Sequence, residues 1–313
     1  MLAFPGAACG PSTTEAFDNC DEAFQLVRKP TAPSSTAHVR PVEVGSELPL
    51  LRADHPRESP LELASRTFAA ACVFDPAAST EDGLLRWATD ASEGADLSAF
   101  LLRTSQTEAR YDADSKRLTI KRVTELSAPV AADAIGWTVA ETMALDVLAN
   151  LQALDLANNA THQLMFVTRG THEEHCTEET PECRAEVRSH RFSFAPTYAG
   201  LPIPASAVEI VIGWNGDIRT MQLTSVDLQG AGTSLVAELS EADALVRIAD
   251  LSAQEHPGSE LHWEQRGLLQ YSVPIGGSTA KAEPVLYGRF IPDDARPIDV
   301  SLPLSDANAE LTK

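Results

Sequence analysis

The sequence lacks any apolar run approaching the roughly 18–20 residues that a membrane-spanning helix needs. Bases are scarce too, with 24 Lys and Arg against 45 Asp and Glu and a net charge of −21. Such a surface repels phosphate backbones. No basic stripe with interleaved aromatics offsets it, so nucleic acid is not expected as a partner. The acids are spread along the chain, the pattern of a solvated surface. Signatures of covalent and phosphate chemistry are missing as well. No Gly-x-Ser-x-Gly elbow exposes a serine, and QGAGTS lacks the spacing and the lysine of a phosphate loop. Cys72 lies in an apolar run, where burial is the default, and Asp293-Asp294 reads as a solvated turn. No cofactor is expected.

What remains is material for packed cores. Apolar residues make up 43 % of 313 residues, enough for one large domain or two ordinary ones. The amino terminus, MLAFPGAACG, places Gly6, Ala7 and Ala8 before Cys9. That order resembles the end of a bacterial lipobox, although Gly6 stands where a leucine is usual. It implies lipidation at Cys9, with residues 1–21 the remnant of an export signal and the membrane reached only through the anchor. A plain cysteine near a loose terminus is the alternative. Five cysteines are present; if Cys9 carries lipid, the other four can pair as Cys20–Cys72 and Cys176–Cys183, and if it does not, one thiol is left over and a Cys9–Cys20 pairing is open.

The densest chemistry lies in His172–Cys183, HEEHCTEETPEC. A zinc peptidase needs histidines at i and i+4 on a helix, with a Glu after the first to polarise metal-bound water. Here His172 and His175 are three apart, Cys176 occupies the i+4 position, and the flanks are strand-like. The HExxH motif is therefore absent, and no catalytic residue is assigned. Two readings stay open. His172, His175, Cys176 and Cys183, with His190, are suitable ligands for a structural metal or a metal-dependent hydrolase. Alternatively, Cys176 and Cys183 are opposing rungs of a hairpin and form a disulfide. With a pairing sum of 359, that register sets Met165 against Phe194 and Val167 against Phe192, all on one face.

Along the chain, residues 22–62 are rich in Pro and Ser without periodicity and read as a linker. LELASRTFAAACVF fits a strand or a short helix. TEDGLLRWATDAS and GADLSAFLLRTS read as short helices, and EARYDADSKRLTIKRV as two strands around a turn. In AIGWTVAETMALDVLANLQAL, the residues Val139, Met143, Val147, Leu151 and Leu154, with Ala140, Ala144 and Leu148 beside them, define a broad apolar helical face. AVEIVIGWNGDIRTMQLTSV is a hairpin, with Asn215-Gly216 suited to a type I′ turn, Val208 opposite Leu223 and Ile210 opposite Met221. QGAGTSLVAEL reads as a polar insertion. Ser240 and Asp243 open a capped helix whose stripe is Leu245, Ile248 and Ala249. LLQYSVPI and PVLYGRFI are two strands, and the residues from Pro292 a loosely held tail.

This order resembles the propeptides of thermolysin-type metallopeptidases, with their FTP and PepSY modules. The resemblance rests on HRFSFAPTYAGLPIPASAVEIVIGWNGDI, SEADALVRIADL, GLLQYSVPI and PVLYGRFI, and it covers residues 105–292. It implies an α+β fold of cystatin-like modules, helices on antiparallel sheets. An FTP-like domain would span 63–235, a PepSY-like module 236–300 and a flexible tail 301–313. It also implies a non-enzymatic protein that binds a protein partner such as a secreted metallopeptidase. The corner Gly200-Leu201-Pro202-Ile203 and Trp214 are the expected contacts. The sequence departs from the family at Phe290-Ile291-Pro292-Asp293-Asp294, where an acidic strand usually ends in Asp-Ala-x-x-Gly. The 313 residues hold no peptidase domain. A structural lipoprotein of the cell surface is a further reading.

Overall fold

A computed structural model describes residues 41–54, 60–75, 84–88, 99–103, 106–112, 115–123, 134–157, 160–173, 185–224, 227–273, 279–292 and 296–311. These form an α+β structure of two antiparallel sheets, the first with two helices on one face and the second with one.

Strand β1 (Glu47–Asp54) belongs to the second sheet, although it comes first. The chain then builds α1 (Pro60–Phe74), β2 (Leu84–Ala88), β3 (Ala99–Arg103), β4 (Thr107–Asp112), β5 (Arg117–Arg122) and α2 (Trp137–Ala153). Next come β6 (His162–Glu173), β7 (Ala185–Tyr198), β8 (Leu201–Pro202), β9 (Val208–Gly213) and β10 (Ile218–Thr224). Their sheet runs β2-β3-β4-β5-β10-β9-β7-β6, with β8 on β7. The chain returns through β11 (Asp227–Val236), α3 (Glu241–Glu255), β12 (Leu261–Ser272), β13 (Thr279–Pro292) and β14 (Ile298–Pro303). The second sheet runs β11-β1-β13-β12. Strand β13 pairs with β12 from Glu283 to Pro292, while β1 pairs with Thr279–Ala282 and β14 with Val285–Phe290.

The first sheet is held by rungs of apolar side chains that cross it strand by strand. One rung is Val167, Phe192, Ile210, Met221, Ile120 and Ala109. Another is Leu164, Phe194, Val208, Leu223, Leu118 and Tyr111. Helices α1 and α2 pack on this face and close the first core. The opposite face carries Arg191, Lys121, Glu108 and Arg110, the polar side of an antiparallel sheet. Helix α2 stops in a Schellman turn. Asp155 takes φ +59°, its N–H bonds to Gln152 O, and Leu156 N–H reaches Leu151 O at 2.9 Å.

Several expectations are corrected. The linker reading of 22–62 fails from Glu47 onward, because β1 is a central strand with Leu48, Leu50 and Leu51 buried. Pro49 is tolerated there beside a bulge, and its carbonyl accepts a 3.0 Å hydrogen bond from Tyr271. Residues 60–74 are helix, opened by Pro60. The two stretches read as short helices instead contain β2 and β3, since short apolar runs cannot separate helix from strand and the β4 edge recruits them. The expected face of α2 is the buried one, with Ala140, Ala144, Val147, Leu148 and Leu151 inside, except that Val139 at its margin is 53 % exposed. In α3, Ala244 and Ile248 are buried, in place of Ala249.

The strand register after Val208 is as expected, Val208 on Leu223 and Ile210 on Met221. Its turn is not type I′, because only Gly216 has positive φ, +86°. Gly216 N–H bonds to Gly213 O and Gly213 N–H to Asp217 O, a type I turn followed by a left-handed glycine. QGAGTSLV is strand β11, not an insertion. The segment called a flexible tail continues β14, with Val300, Leu302 and Leu304 alternating into the core.

Replacing Leu51, wholly buried between β11 and β13, by Ala is expected to lower unfolding stability by about 2–5 kcal/mol, measured by urea denaturation. Ser240 caps α3 by accepting from Asp243 N–H at 3.1 Å; Ser240→Ala is expected to cost about 1 kcal/mol in the same assay.

Candidate functional site

The corner Gly200–Ile203, expected as an outward contact, is an internal joint. Ala199 and Gly200 both take positive φ, +48° and +81°, and reverse the chain after β7. That turn drives Leu201 and Ile203, 7 % and 2 % exposed, into the core of the second sheet. Pro202 is buried too, and Ile203 N–H bonds to Pro196 O at 2.8 Å. Tyr198 lies edge-on to Tyr271 at 6.1 Å and fills the space where a side chain on Gly230 would stand. Burial, then the proximity of Tyr198, raises the Tyr271 hydroxyl pKa far above its ordinary value. Leu201, Pro202 and Ile203 are thus taken up in the second core, and of the corner only Gly200 stays part-exposed.

Trp214 is likewise structural. It is 9 % exposed; its N–H bonds to Arg188 O, and its carbonyl accepts from Ile135 N–H at 2.8 Å. This ties the lead-in of α2 to the hairpin turn.

The metal readings fare differently by residue. His190 is 3 % exposed on β7, edge-on to Trp137 at 5.6 Å, with Nε2 near Ile135 O. It pairs with Arg169, and His172 stands three residues further along β6, roughly 10 Å away along the strand. Among the described residues, no three His, Cys, Asp or Glu groups gather to hold a metal. The side chain of His172, and all of His175, Cys176 and Cys183, lie outside the described residues. Cys9 and Cys20 lie outside them too, whereas Cys72 is buried and disulfide-bonded to a cysteine beyond them.

The register that would set Cys176 opposite Cys183 is interrupted. Val167 does face Phe192, but Met165 bulges from β6, so Leu164 takes its place against Phe194. A second shift follows Gly170, and His172 pairs with Glu186 and Glu173 with Ala185. The strand ends entering the tip are thus offset by one residue from direct opposition of the two cysteines. The apolar pattern that argued for this disulfide is no longer in register with it.

Other groups were invisible in the sequence. Arg122 meets Asp75 at 3.2 Å, donates through Nε to Ile218 O at 3.1 Å and lies over Phe74 at 5.6 Å. It fastens the end of α1 to β5 and β10. Between the sheets, Arg289 stands 5.4 Å over Phe166 and within 3.3 Å and 3.5 Å of Glu264 and Asp299. Tyr287 donates to Asp299 at 2.5 Å, and burial, then Asp299, raises its pKa far above the usual range. These pairs join residues far apart in sequence, so no local pattern announces them.

A shallow apolar dent, lined by Leu63, Tyr111, Leu118, Leu156 and Leu223, opens between α1 and the first sheet. It is too slight to enclose a substrate. The longer feature lies at the other end of the sheet. Strand β6 forms its edge, and no further strand pairs with it among the described residues. Helix α2 runs alongside, bound to β6 by Arg169 on Trp137 at one end and by Gln152 beside Ala160 and His162 at the other.

No family model matches the sequence, and no curated protein does. A solved structure of an uncharacterised protein from Eubacterium rectale is similar at TM-score 0.55, with 10 % identity over 86 % of each chain. The likeness is one of fold alone. YycH from Bacillus subtilis aligns at TM-score 0.36 and 9 % identity, over 64 % of this chain and 43 % of its own. That score is too low to support an argument.

His162 at the root of the edge makes its stability depend on pH. Burial lowers its pKa, partly offset by the 2.9 Å contact of Nδ1 with Ala160 O. The unfolded chain therefore takes up this proton first as pH falls. The stability this neutral ring contributes is full above about pH 6.5 and is lost as pH drops towards the lowered folded value. A urea-midpoint series from pH 7.5 to about 5 is expected to fall, and to fall less steeply in His162→Gln.

Proposed function

We propose that this is an exported, non-enzymatic binding protein built of two cystatin-like modules of the FTP and PepSY kind. Its partner is a secreted metallopeptidase, which it inhibits or chaperones. The observation that carries the reading is the layout of each unit, one or two helices on one face of an antiparallel sheet, although β1 and β11 enclose the first unit within the second. The long open edge of β6 supports a binding role, since an extended partner segment can continue such a sheet by main-chain hydrogen bonds. The disulfide at Cys72 supports an oxidising compartment, and the lipobox-like run before Cys9 supports export with a lipid anchor.

The test is a titration of purified protein, made in an oxidising compartment, into a thermolysin-type metallopeptidase encoded nearby. Slowed peptide hydrolysis with saturable binding at micromolar or tighter affinity is expected. Absence of both binding and inhibition overturns the reading. Zinc at one equivalent, with Cys176 and Cys183 present as free thiols, would replace it with the metal-site reading.

A further inference from the structure

We propose that the outer edge of β6 and the facing flank of α2 form a docking channel for an extended peptide. The peptide carries apolar side chains at alternate positions and a carboxylate at the end that meets Arg169. This rests on the binding reading above and adds to it the edge used and the chemistry it selects.

Trp137, Glu141, Leu145, Leu148 and Gln152 follow one another at four, four, three and four residues and so share one flank of α2. Both ends of that flank are fastened to β6. The Arg169 guanidinium lies 5.8 Å over the Trp137 ring, and Gln152 Nε2 lies 3.2 Å from Ala160 O and 3.1 Å from His162 Nδ1. From Trp137 to Gln152 the helix rises roughly 22 Å, and from His162 to Arg169 the strand extends about 23 Å. The matching lengths set helix and strand antiparallel, side by side. Trp137 packs on Phe192 at 4.7 Å, which places an aromatic floor under the Arg169 end. Leu145 on the helix wall is 48 % exposed, and Val167 on the strand wall 36 %.

Between the bulge at Met165 and the shift after Gly170, residues Phe166 to Gly170 keep one unbroken register. Their outward N–H and C=O groups find no strand among the described residues, so an incoming strand can complete that ladder. Its alternate side chains would face the helix and cover Val167 and Leu145.

Charge decides the end group. In a chain of net charge −21, Arg169 is exposed, stacks on Trp137 and meets no carboxylate among the described residues. Stacking holds its flat face and leaves its N–H fork for a carboxylate. Glu141, further along the flank, disfavours a second acid in the middle of the channel. Bulges and charges also occur on edges only to prevent pairing, and that alternative predicts no binding.

The probe is fluorescein-labelled Glu-Thr-Val-Thr-Val-Thr-amide, with its Glu and Val side chains on one face, titrated with the full chain and followed by anisotropy, without any peptidase. Saturable binding is expected. Roughly tenfold weakening is expected when alternate amides are N-methylated, when the terminal Glu is replaced by Lys, and in Leu145→Asp. Arg169→Glu is expected to reverse the preference to the Lys peptide; circular dichroism and melting verify that the variants stay folded. No saturable binding at millimolar protein, or binding indifferent to N-methylation and to Arg169→Glu, overturns the inference. So does a dimer in sedimentation that Leu145→Asp dissociates, because the edge is then occupied by a second copy. Peptidase inhibition that survives both variants places the partner elsewhere and removes this inference alone. Peptide binding without peptidase inhibition sustains the channel and removes the partner class.

Discussion

The pairing of β1 between β11 and β13 is the constraint on which the rest depends. The register sets Asp54 against Asp227 at one end of the β1–β11 ladder, so the chain leaves the second sheet and re-enters it at the same place. Everything from α1 to β10 is therefore an insertion between two neighbouring antiparallel strands. The inserted sheet is held by its entry and exit strands, by Leu201 and Ile203 sunk in the second core, and by Arg289 over Phe166. Of these, the apolar corner contributes most: burial of two aliphatic side chains gains about 1.5–3 kcal/mol each, whereas partly exposed ion pairs give about 1 kcal/mol or less.

That corner also decides what is left for contact with other molecules. The residues whose sequence singled them out, Gly200 to Ile203 and Trp214, are consumed in joining the molecule to itself. The surface that stays open is set by what stops. Helix α2 covers β9 and β7, its flank reaches only as far as β6, and the sheet ends there. An edge with a half-covered apolar face follows from the width of one helix on a sheet broader than the helices can cover.

Much of the architecture was legible. The strands of the Asn215-Gly216 hairpin alternate over Val208–Ile212 and Met221–Thr224, Ser240 and Asp243 sit three apart, and α2 has a clear helical period; each pattern is local and specifies its element. Errors came where the deciding interaction is remote. Strands β2 and β3 owe their form to β4, and β1 owes its form to strands formed near the end of the chain. The apolar face of α2 was legible down to its alanines, although Val139 turns outward. Ala140 and Ala144 are buried because their small size lets the helix approach the sheet closely. At the candidate site, alternation marked β6 as a strand, but nothing local says which strand ends a sheet. The bulge at Met165 shows the limit of register arguments: one extra residue moves every rung beyond it.

The position of β1 has a consequence for how the molecule is made. As the chain emerges amino terminus first, from the ribosome or through an export channel, Leu48, Leu50 and Leu51 appear before either neighbouring strand exists, and the whole inserted sheet follows in the interval. The insertion has its own core and can collapse first, while β1 remains an unpaired apolar strand in the nascent chain. Pairing across so long a loop makes completion of the second sheet the slow step of folding. During that wait β1 is the segment most in need of a chaperone.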